Sequence, residues 1–334
     1  MTQHFPILIA DIGGTFTRLA LLETQGSQPQ LIAKFKTADY TDPQSAFLAV
    51  LDQQKTTTKP KSALLAVAAP IGKQRVHLTN AAWWIDPETI GTALALNKVV
   101  LINDFPPIAA LLPQLDTTNP DHMARLGPDC AGDDGPMLVL GPGTGLGAAL
   151  LRTLHGHALI EPTEAGHIEF GASSDEELAL WPLIERHDNR HTAESLLCGA
   201  GITRLYEALA MQRGQITSHP DVASIIQSAL GGDTAALDCL NLYAGLLGRF
   251  AGDLALVFGA TGGVYIAGGI APRIYTLLQQ SAFRTSFENK APFASLLKSI
   301  PTFVITRPDP ALYGLAELAS YPDHFWVNSQ TWQR

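Results

Sequence analysis

Four short stretches of this 334-residue chain gather side chains suited to an anion or a polyhydroxyl ligand. The first is Asp11-Ile12-Gly13-Gly14-Thr15. Its glycines let backbone N–H groups approach an anion with no Cβ in the way, and Thr15 adds a hydroxyl donor. Asp11 stands at the end of an apolar run, where a carboxylate can hold Mg²⁺ directly or through water. The same residues also suit an ordinary hairpin turn with a polar tip. The second stretch is Gly141-Pro142-Gly143-Thr144-Gly145-Leu146-Gly147-Ala148. Read from Gly143 it satisfies GxGxxA, but a dinucleotide turn must open a long helix. Here only residues 148–154 follow before His155-Gly156-His157 interrupts them, and no GxxxxGK[ST] occurs in the chain. What remains is a second backbone phosphate cradle, expected to face the first across a cleft.

The third stretch, Asn103-Asp104-Phe105-Pro106-Pro107, follows an apolar run over 99–102. Strand ends before helices are where α/β folds place ligands, and a carboxylate there can accept a proton from an attacking hydroxyl. The competing role is that Asp104 or Asn103 caps the helix that Pro107 begins. The fourth is Glu161-Pro162-Thr163-Glu164-Ala165-Gly166-His167, with Glu194 further on. Carboxylates accept two hydroxyl donors each and imidazole can donate or accept, a set that suits a polyol. Taken alone, the segment also fits a solvated acidic loop, and Glu194 also fits a helix N-terminus. His187 and His191 stand at metal-ligand spacing but lack a third ligand and an HExxH glutamate, so they read as a surface pair. There is no GxSxG elbow and no cysteine in a nucleophile motif.

The elements that must position these residues follow from hydrophobic pattern. Strands are expected at 7–10, 18–22, 31–35, 63–69 and 99–102, and helices at 43–54, 87–96 and 107–112. Three leading strands, then alternating helices and strands, predict a mixed α/β sheet with crossover helices. Further on, Ser173/Ser174 before Glu176/Glu177 predict a helix start. Leu237, Leu240, Ala244, Leu247, Ala251, Leu254 and Phe258 predict a long helix after Asp233 with one buried stripe. A strand is expected at 264–267, a turn at Gly268-Gly269 and a helix opening at Pro272. The segments from Ile7 and from Met137 share one pattern, apolar run, Gly/Thr turn, apolar run, which predicts a strand–turn–strand unit in each of two similar domains. A boundary is expected between 113 and 136.

Composition narrows the function classes. Hydrophobic residues are 46% and charged residues 16%, enough for large cores. Lys plus Arg is 22 against 31 Asp plus Glu, a net charge of −9, which argues against wrapping nucleic acid or coating an anionic membrane. Cys130, Cys198 and Cys239 are far apart with no CxxC, which points to a reducing cytoplasm. The first ten residues have no basic flank and do not read as a signal peptide. The uncharged stretch 254–272 is broken by five glycines and does not read as a membrane span.

Taken in order, six motifs resemble those of bacterial glucokinases: Asp11-Ile12-Gly13-Gly14-Thr15; Leu78-Thr79-Asn80 with Trp83; Ile102-Asn103-Asp104-Phe105; Gly141-x-Gly143-Thr144-Gly145-Leu146-Gly147; Glu164-Ala165-Gly166-His167; and Ala267-Gly268-Gly269-Ile270. The resemblance runs from about Ile7 to Leu318. It implies a two-domain α/β architecture of the actin-like, ribonuclease-H-like ATPase fold, with mixed sheets and an interdomain cleft. A small domain of 1–113 plus 312–334 and a larger one of 114–311 are expected. The resemblance further implies Asp104 as the base for a sugar 6-hydroxyl and Asn103, Glu164, His167 and Glu194 as hexose ligands. Gly13, Gly14, Thr15, Gly143, Thr144 and Gly145 are implied as phosphate cradles, Gly268 and Gly269 as part of the adenosine wall, and Asp11 as the acid near Mg²⁺.

The implied activity is transfer of the γ-phosphate of ATP to D-glucose by a cytoplasmic homodimer. Mannose or an N-acetylhexosamine is the alternative acceptor, and a non-catalytic sugar or nucleotide sensor the alternative class. One departure stands out: the family commonly has Asn after the first Gly-Gly-Thr, and this chain has Phe16. The cysteine-rich zinc motif of the related repressor–kinase family is absent, and no helix-turn-helix precedes Ile7.

Overall fold

The computed structural model describes residues 4–54, 59–72, 75–78, 81–130, 132–215 and 220–334. Thr79 and Asn80 of the second motif lie outside the described residues. Two compact units result. Met1–Leu115, Leu151–Pro162 and Pro308–Arg334 form the first; Asp116–Leu150 and Thr163–Arg307 form the second. Relative to the division expected from sequence, the first unit gains 151–162 as a separate piece and 114–115 and 308–311 at its boundaries. Residues 158–160 belong there because they pair in parallel with 325–327, a tail strand with no distinctive pattern.

The first unit is built on a six-stranded sheet in the order Gln330–Gln333, Lys98–Asn103, Ser62–Val67, Ile7–Ile12, Phe16–Leu22, Gln30–Lys36. Ile7–Ile12 and Phe16–Leu22 form an antiparallel hairpin that sets Asp11 opposite Arg18. Ser62–Val67, buried along its whole length, lies parallel to Ile7–Ile12 and to Lys98–Asn103. Parallel neighbours need crossovers, and helices Pro43–Gln53 and Pro87–Ala93 supply them. Each begins with proline after a capping aspartate: Asp42 accepts from the Ser45 amide at 2.8 Å and Asp86 from the Glu88 amide at 3.3 Å. The second helix stops short of the predicted end at 96 because Ala95 takes φ +54°.

In the second unit, strands Met137–Pro142, Gly263–Ile266, Thr302–Ile305 and Met123–Leu126 are neighbours in that order. Leu146–Leu154, whose first residues belong to this unit, lies on the other side of Met137–Pro142. Helix Thr234–Phe258 is capped by Asp233, which accepts from the Ala236 amide at 2.8 Å. It ends at Gly259 in the left-handed region, φ +59°. The predicted stripe is its core face: Leu240, Ala244, Leu247, Ala251 and Leu254 are buried, with Leu237 and Phe258 packed at the margin. The stretch 254–272 is a helix end, a strand and turns, and no described helix is long and apolar enough to cross a membrane.

The two helices that matter most for the third motif pack closely within the first unit. Phe105–Leu111 lies against Pro310–Ser320, whose Gly314 abuts the carbonyl of Pro107. A Cβ at 314 would overlap that oxygen, so Gly314→Ala must separate the helices. Overpacking of this kind typically costs about 1–3 kcal/mol. Urea unfolding is expected to show a loss of about that size for Gly314→Ala. Gly171→Ala, with open space around the added carbon, should stay within about 0.5 kcal/mol of the parent.

Candidate active site

In the first unit, residues 13–15 form the tip of the leading hairpin. The Gly13 amide donates to the Phe16 carbonyl at 3.0 Å and closes the turn. Thr37, on the turn after strand Gln30–Lys36, takes hold of the tip. Its hydroxyl donates to the Gly13 carbonyl at 2.7 Å and its amide to the Thr15 carbonyl at 3.1 Å. The buried hydroxyls of Thr17 and Thr37 meet at 3.0 Å. Because a trans peptide holds C=O and N–H on opposite sides, fixing the Gly13 carbonyl on Thr37 turns the Gly14 N–H the other way. Thr17 and Thr37 sit in no local motif, and sequence reasoning did not find them.

Asp11 is paired with Arg18 at 3.0 Å, and the same guanidinium reaches Asp309 at 2.6 Å. Asp309 is held at φ +46° just before helix Pro310–Ser320. One cation therefore serves two carboxylates. Burial pushes the Asp11 carboxyl above its usual range, the Asp309 charge adds to this, and Arg18 opposes it. Asp309 is 298 residues from Asp11 in sequence, which is why no spacing argument pairs them. Phe16 is exposed beside the turn, with the Lys34 ammonium 5.6 Å from its ring centre.

The capping question at the third motif has a clear outcome. The Asn103 side chain accepts from the Phe105 amide at 3.1 Å and donates to the Ala69 carbonyl at 3.2 Å. Asp104 occupies the N-cap position of helix Phe105–Leu111 yet makes no side-chain capping bond. Asn103, not Asp104, does the local capping work. The helix opens at Phe105 rather than at Pro107, with prolines filling its first turn where amide donors lack intrahelical partners.

In the second unit, Glu164, His167 and Glu194 come together. His167 Nε2 is 3.7 Å from Glu164 and its Nδ1 is 3.9 Å from Glu194. Glu164 and His167 are open to solvent at 62% and 58% side-chain exposure, whereas Glu194 is at 32%. The burial of Glu194 follows from its second contact: one carboxylate oxygen accepts from the Leu146 amide at 2.8 Å. Its own helix, Ala193–Leu197, is capped instead by Thr192 and Ser195. Glu161 pairs with Arg152 within the first unit.

The second Gly turn leads into a strand, Leu146–Leu154, as its rejection as a dinucleotide motif required. The Gly143 amide donates to the Gly145 carbonyl at 2.8 Å, and the Gly143 carbonyl accepts from the Gly199 amide at 2.9 Å. Thr144 is exposed at its tip. Gly268, at φ +84°, lies where a Cβ would overlap the Pro142 carbonyl, so the turn Gly268-Gly269 backs directly onto the strand feeding this loop. His187 and His191 do not lie on a helix, so their four-residue spacing does not set them on one helical face. The first lies in a tight turn closed with Arg190, and the second contacts the Ile184 carbonyl at 3.2 Å. Cys130, Cys198 and Cys239 are free thiols.

No three His, Cys, Asp or Glu residues among the described residues converge as a metal cage. Mg²⁺ at phosphates commonly needs only one or two carboxylates and keeps several waters. Asp11 fits that limited demand through water, since its Arg18 contact engages one of its two oxygens.

Comparison with known proteins adds the family. The glucokinase family model matches residues 8–321. A glucokinase from Sinorhizobium medicae is 40% identical over 335 residues, covering 99% of this chain and 97% of the relative. The crystal structure of a glucokinase from an Antarctic psychrotroph superposes with a TM-score of 0.79 at 33% identity, covering 95% of this chain and 99% of that one. A glucokinase of the ROK family from Streptomyces griseus, solved with glucose and AMPPNP, shares the fold at a TM-score of 0.63 and 18% identity, over 94% and 98% of the two chains.

Replacing Arg18 by Ala leaves Asp11 and Asp309 facing each other without their cation. The ion pairs are partly solvated, so a loss of about 2 kcal/mol in unfolding free energy is expected at pH 7.5. With Arg18 gone, the folded-state pKa of Asp11 rises further. The deficit is then full above that pKa and shrinks as pH falls through it and the carboxyl takes up a proton. Urea unfolding of parent and variant at pH 7.5 and pH 5 checks this; a deficit that grows on acidification contradicts it.

Proposed function

The chain belongs to the glucokinase family, and from that membership we propose that it transfers the γ-phosphoryl group of ATP to the 6-hydroxyl of D-glucose, giving glucose 6-phosphate and ADP. The observation that best supports this reading is the cluster of Glu164, His167 and Glu194, a polyol-binding set tied through Glu194 to the residue that leaves a glycine turn. The hydrogen bond from the Leu146 amide to Glu194 ties this cluster to the second glycine turn and supports the reading.

Phosphoryl transfer passes through a loose transition state, so the protein's part is alignment and charge neutralisation. Glu164, His167 and Glu194 would take hexose hydroxyls. Asn103 would add to them: its amide keeps one N–H and its oxygen one lone pair beyond the bonds to Ala69 and Phe105. Asp104 would accept the proton of O6; in a loose transition state that transfer comes late, so a strong base is not required. Backbone amides at Gly13, Gly14, Thr15, Gly143, Thr144 and Gly145 would cradle the phosphates. Gly268 and Gly269 would flank the adenosine. Mg²⁺, held near Asp11 through water, would offset charge on the transferring oxygens.

A site built to hydrogen-bond a given hydroxyl can reject an analogue lacking it by about 10⁴-fold. Sugar choice is therefore assigned to these four side chains. The domain division at residues 113/114 and 311/312, a cytoplasmic setting and a homodimeric working form complete the reading. The acidic composition and three free thiols support the second of these.

A coupled ADP-release assay over glucose, mannose and N-acetylglucosamine tests the activity. Turnover is expected with glucose in preference to the others, and no turnover with any hexose sinks the reading. Asp104→Ala should lower kcat by about 10²–10⁴-fold while glucose still binds. Near-normal kcat would remove Asp104 as the base. Glu164→Gln should raise KM for glucose about tenfold with a smaller change in kcat.

A further inference from the structure

Within that reading of the site, Glu194 has a second task. Its carboxylate contacts the Leu146 amide at 2.8 Å with one oxygen and faces His167 with the other. A Cβ placed on Gly145 would lie only 2.6 Å from the first oxygen, so the carboxylate rests on the turn itself. Five residues later, the Gly199 amide donates to the Gly143 carbonyl at 2.9 Å. The segment from Glu194 to Gly199 thus grips the loop at both ends, at Leu146 and at Gly143. On the far side, a Cβ on Gly166 would overlap the Leu146 carbonyl, so the peptide carrying Glu164 and His167 presses on the same residue. Neither ordinary role of a glutamate near a helix start accounts for this. Thr192 and Ser195 already cap that helix, and a pure sugar ligand has no need of the Leu146 amide.

We propose that Glu194 is a positioning residue that couples the two substrates: it fixes the phosphate turn with one oxygen and the sugar with the other, so that each ligand tightens the other's binding. The physical basis is ordering. A sugar hydroxyl on one oxygen restricts the carboxylate, which reduces the freedom that the turn must lose when phosphates dock. Linkage makes the effect reciprocal.

Calorimetric titration of the full chain with glucose, with and without the ATP analogue AMPPNP and Mg²⁺, measures the coupling as a ratio of dissociation constants. The reverse titration must give the same ratio. In the parent, a ratio of about 5 or more is expected. A carboxamide has one acceptor oxygen and no charge, so one of the two contacts loses its charge-assisted acceptor, and Glu194→Gln should bring the ratio to within about twofold of unity. It should also weaken AMPPNP binding in the absence of sugar, which loss of a sugar ligand alone does not do. Gly145→Ala, which displaces the carboxylate but keeps its charge, should collapse the ratio independently and weaken glucose binding without nucleotide. Glu164→Gln should weaken glucose binding yet keep the parental ratio. The inference is overturned by a parental ratio of one, by a Glu194→Gln variant that keeps the parental ratio, or by equal loss in Glu164→Gln. Failure of the parent to bind or phosphorylate glucose overturns instead the reading on which it rests.

Discussion

The arrangement of the second unit depends on one close approach, a carboxylate lying against a turn that has no side chain at position 145. A Cβ at 145 would lie 2.6 Å from the Glu194 oxygen that accepts from the Leu146 amide, so the carboxylate would have to shift from its present place. That contact is charge-assisted and partly desolvated, the regime in which a hydrogen bond contributes most. It also explains the gradient of exposure across the cluster, with Glu194 least open of the three. Two of the side chains are open to solvent; the third is held against the backbone of the turn.

The first unit follows the same logic with different chemistry. Its turn is held by Thr37 rather than a carboxylate, through the Thr37 hydroxyl to the Gly13 carbonyl and the Thr37 amide to the Thr15 carbonyl. Nearby, Asn103 satisfies the Phe105 amide, which an aspartate at the N-cap would otherwise compete to do. An amide is the better side chain for that local task, since it bonds the backbone on both sides without burying a charge. The division of labour leaves the ionisable neighbour, Asp104, with no capping bond to disrupt.

Much of this was legible in the sequence, for reasons that particular residues make plain. The leading hairpin, the crossover helices opening at Pro43 and Pro87 and the stripe from Leu237 to Phe258 each rest on local pattern and capping, and each formed. The expected sugar ligands Glu164, His167 and Glu194 meet in one place, although 27 residues separate the last two. What escaped was non-local or lacked a motif. Asp309 reaches Arg18 only once the last helix packs. Thr37 acts from a short turn whose sequence resembles many others. The strand 325–327 is short and pairs with 158–160 over three residues only, and strands are set by tertiary pairing more than by composition.

Phe16 shows why the two glycine turns tolerate change differently. It stands where the family commonly has Asn, yet the first turn keeps its closing bond because the Phe16 carbonyl, not its side chain, accepts from Gly13. The threonine bonds to the Gly13 and Thr15 carbonyls likewise involve the turn's main chain alone. A turn closed by backbone bonds is indifferent to the side chain at its rim so long as φ and ψ are kept. The second turn is different, because a side-chain carboxylate completes it. There even the conservative exchange of Glu for Gln halves the acceptor capacity at the one point where both neighbours draw on it. The side chain at position 16 can therefore change at small cost, whereas position 194 is constrained twice over, by the turn behind it and by the imidazole in front.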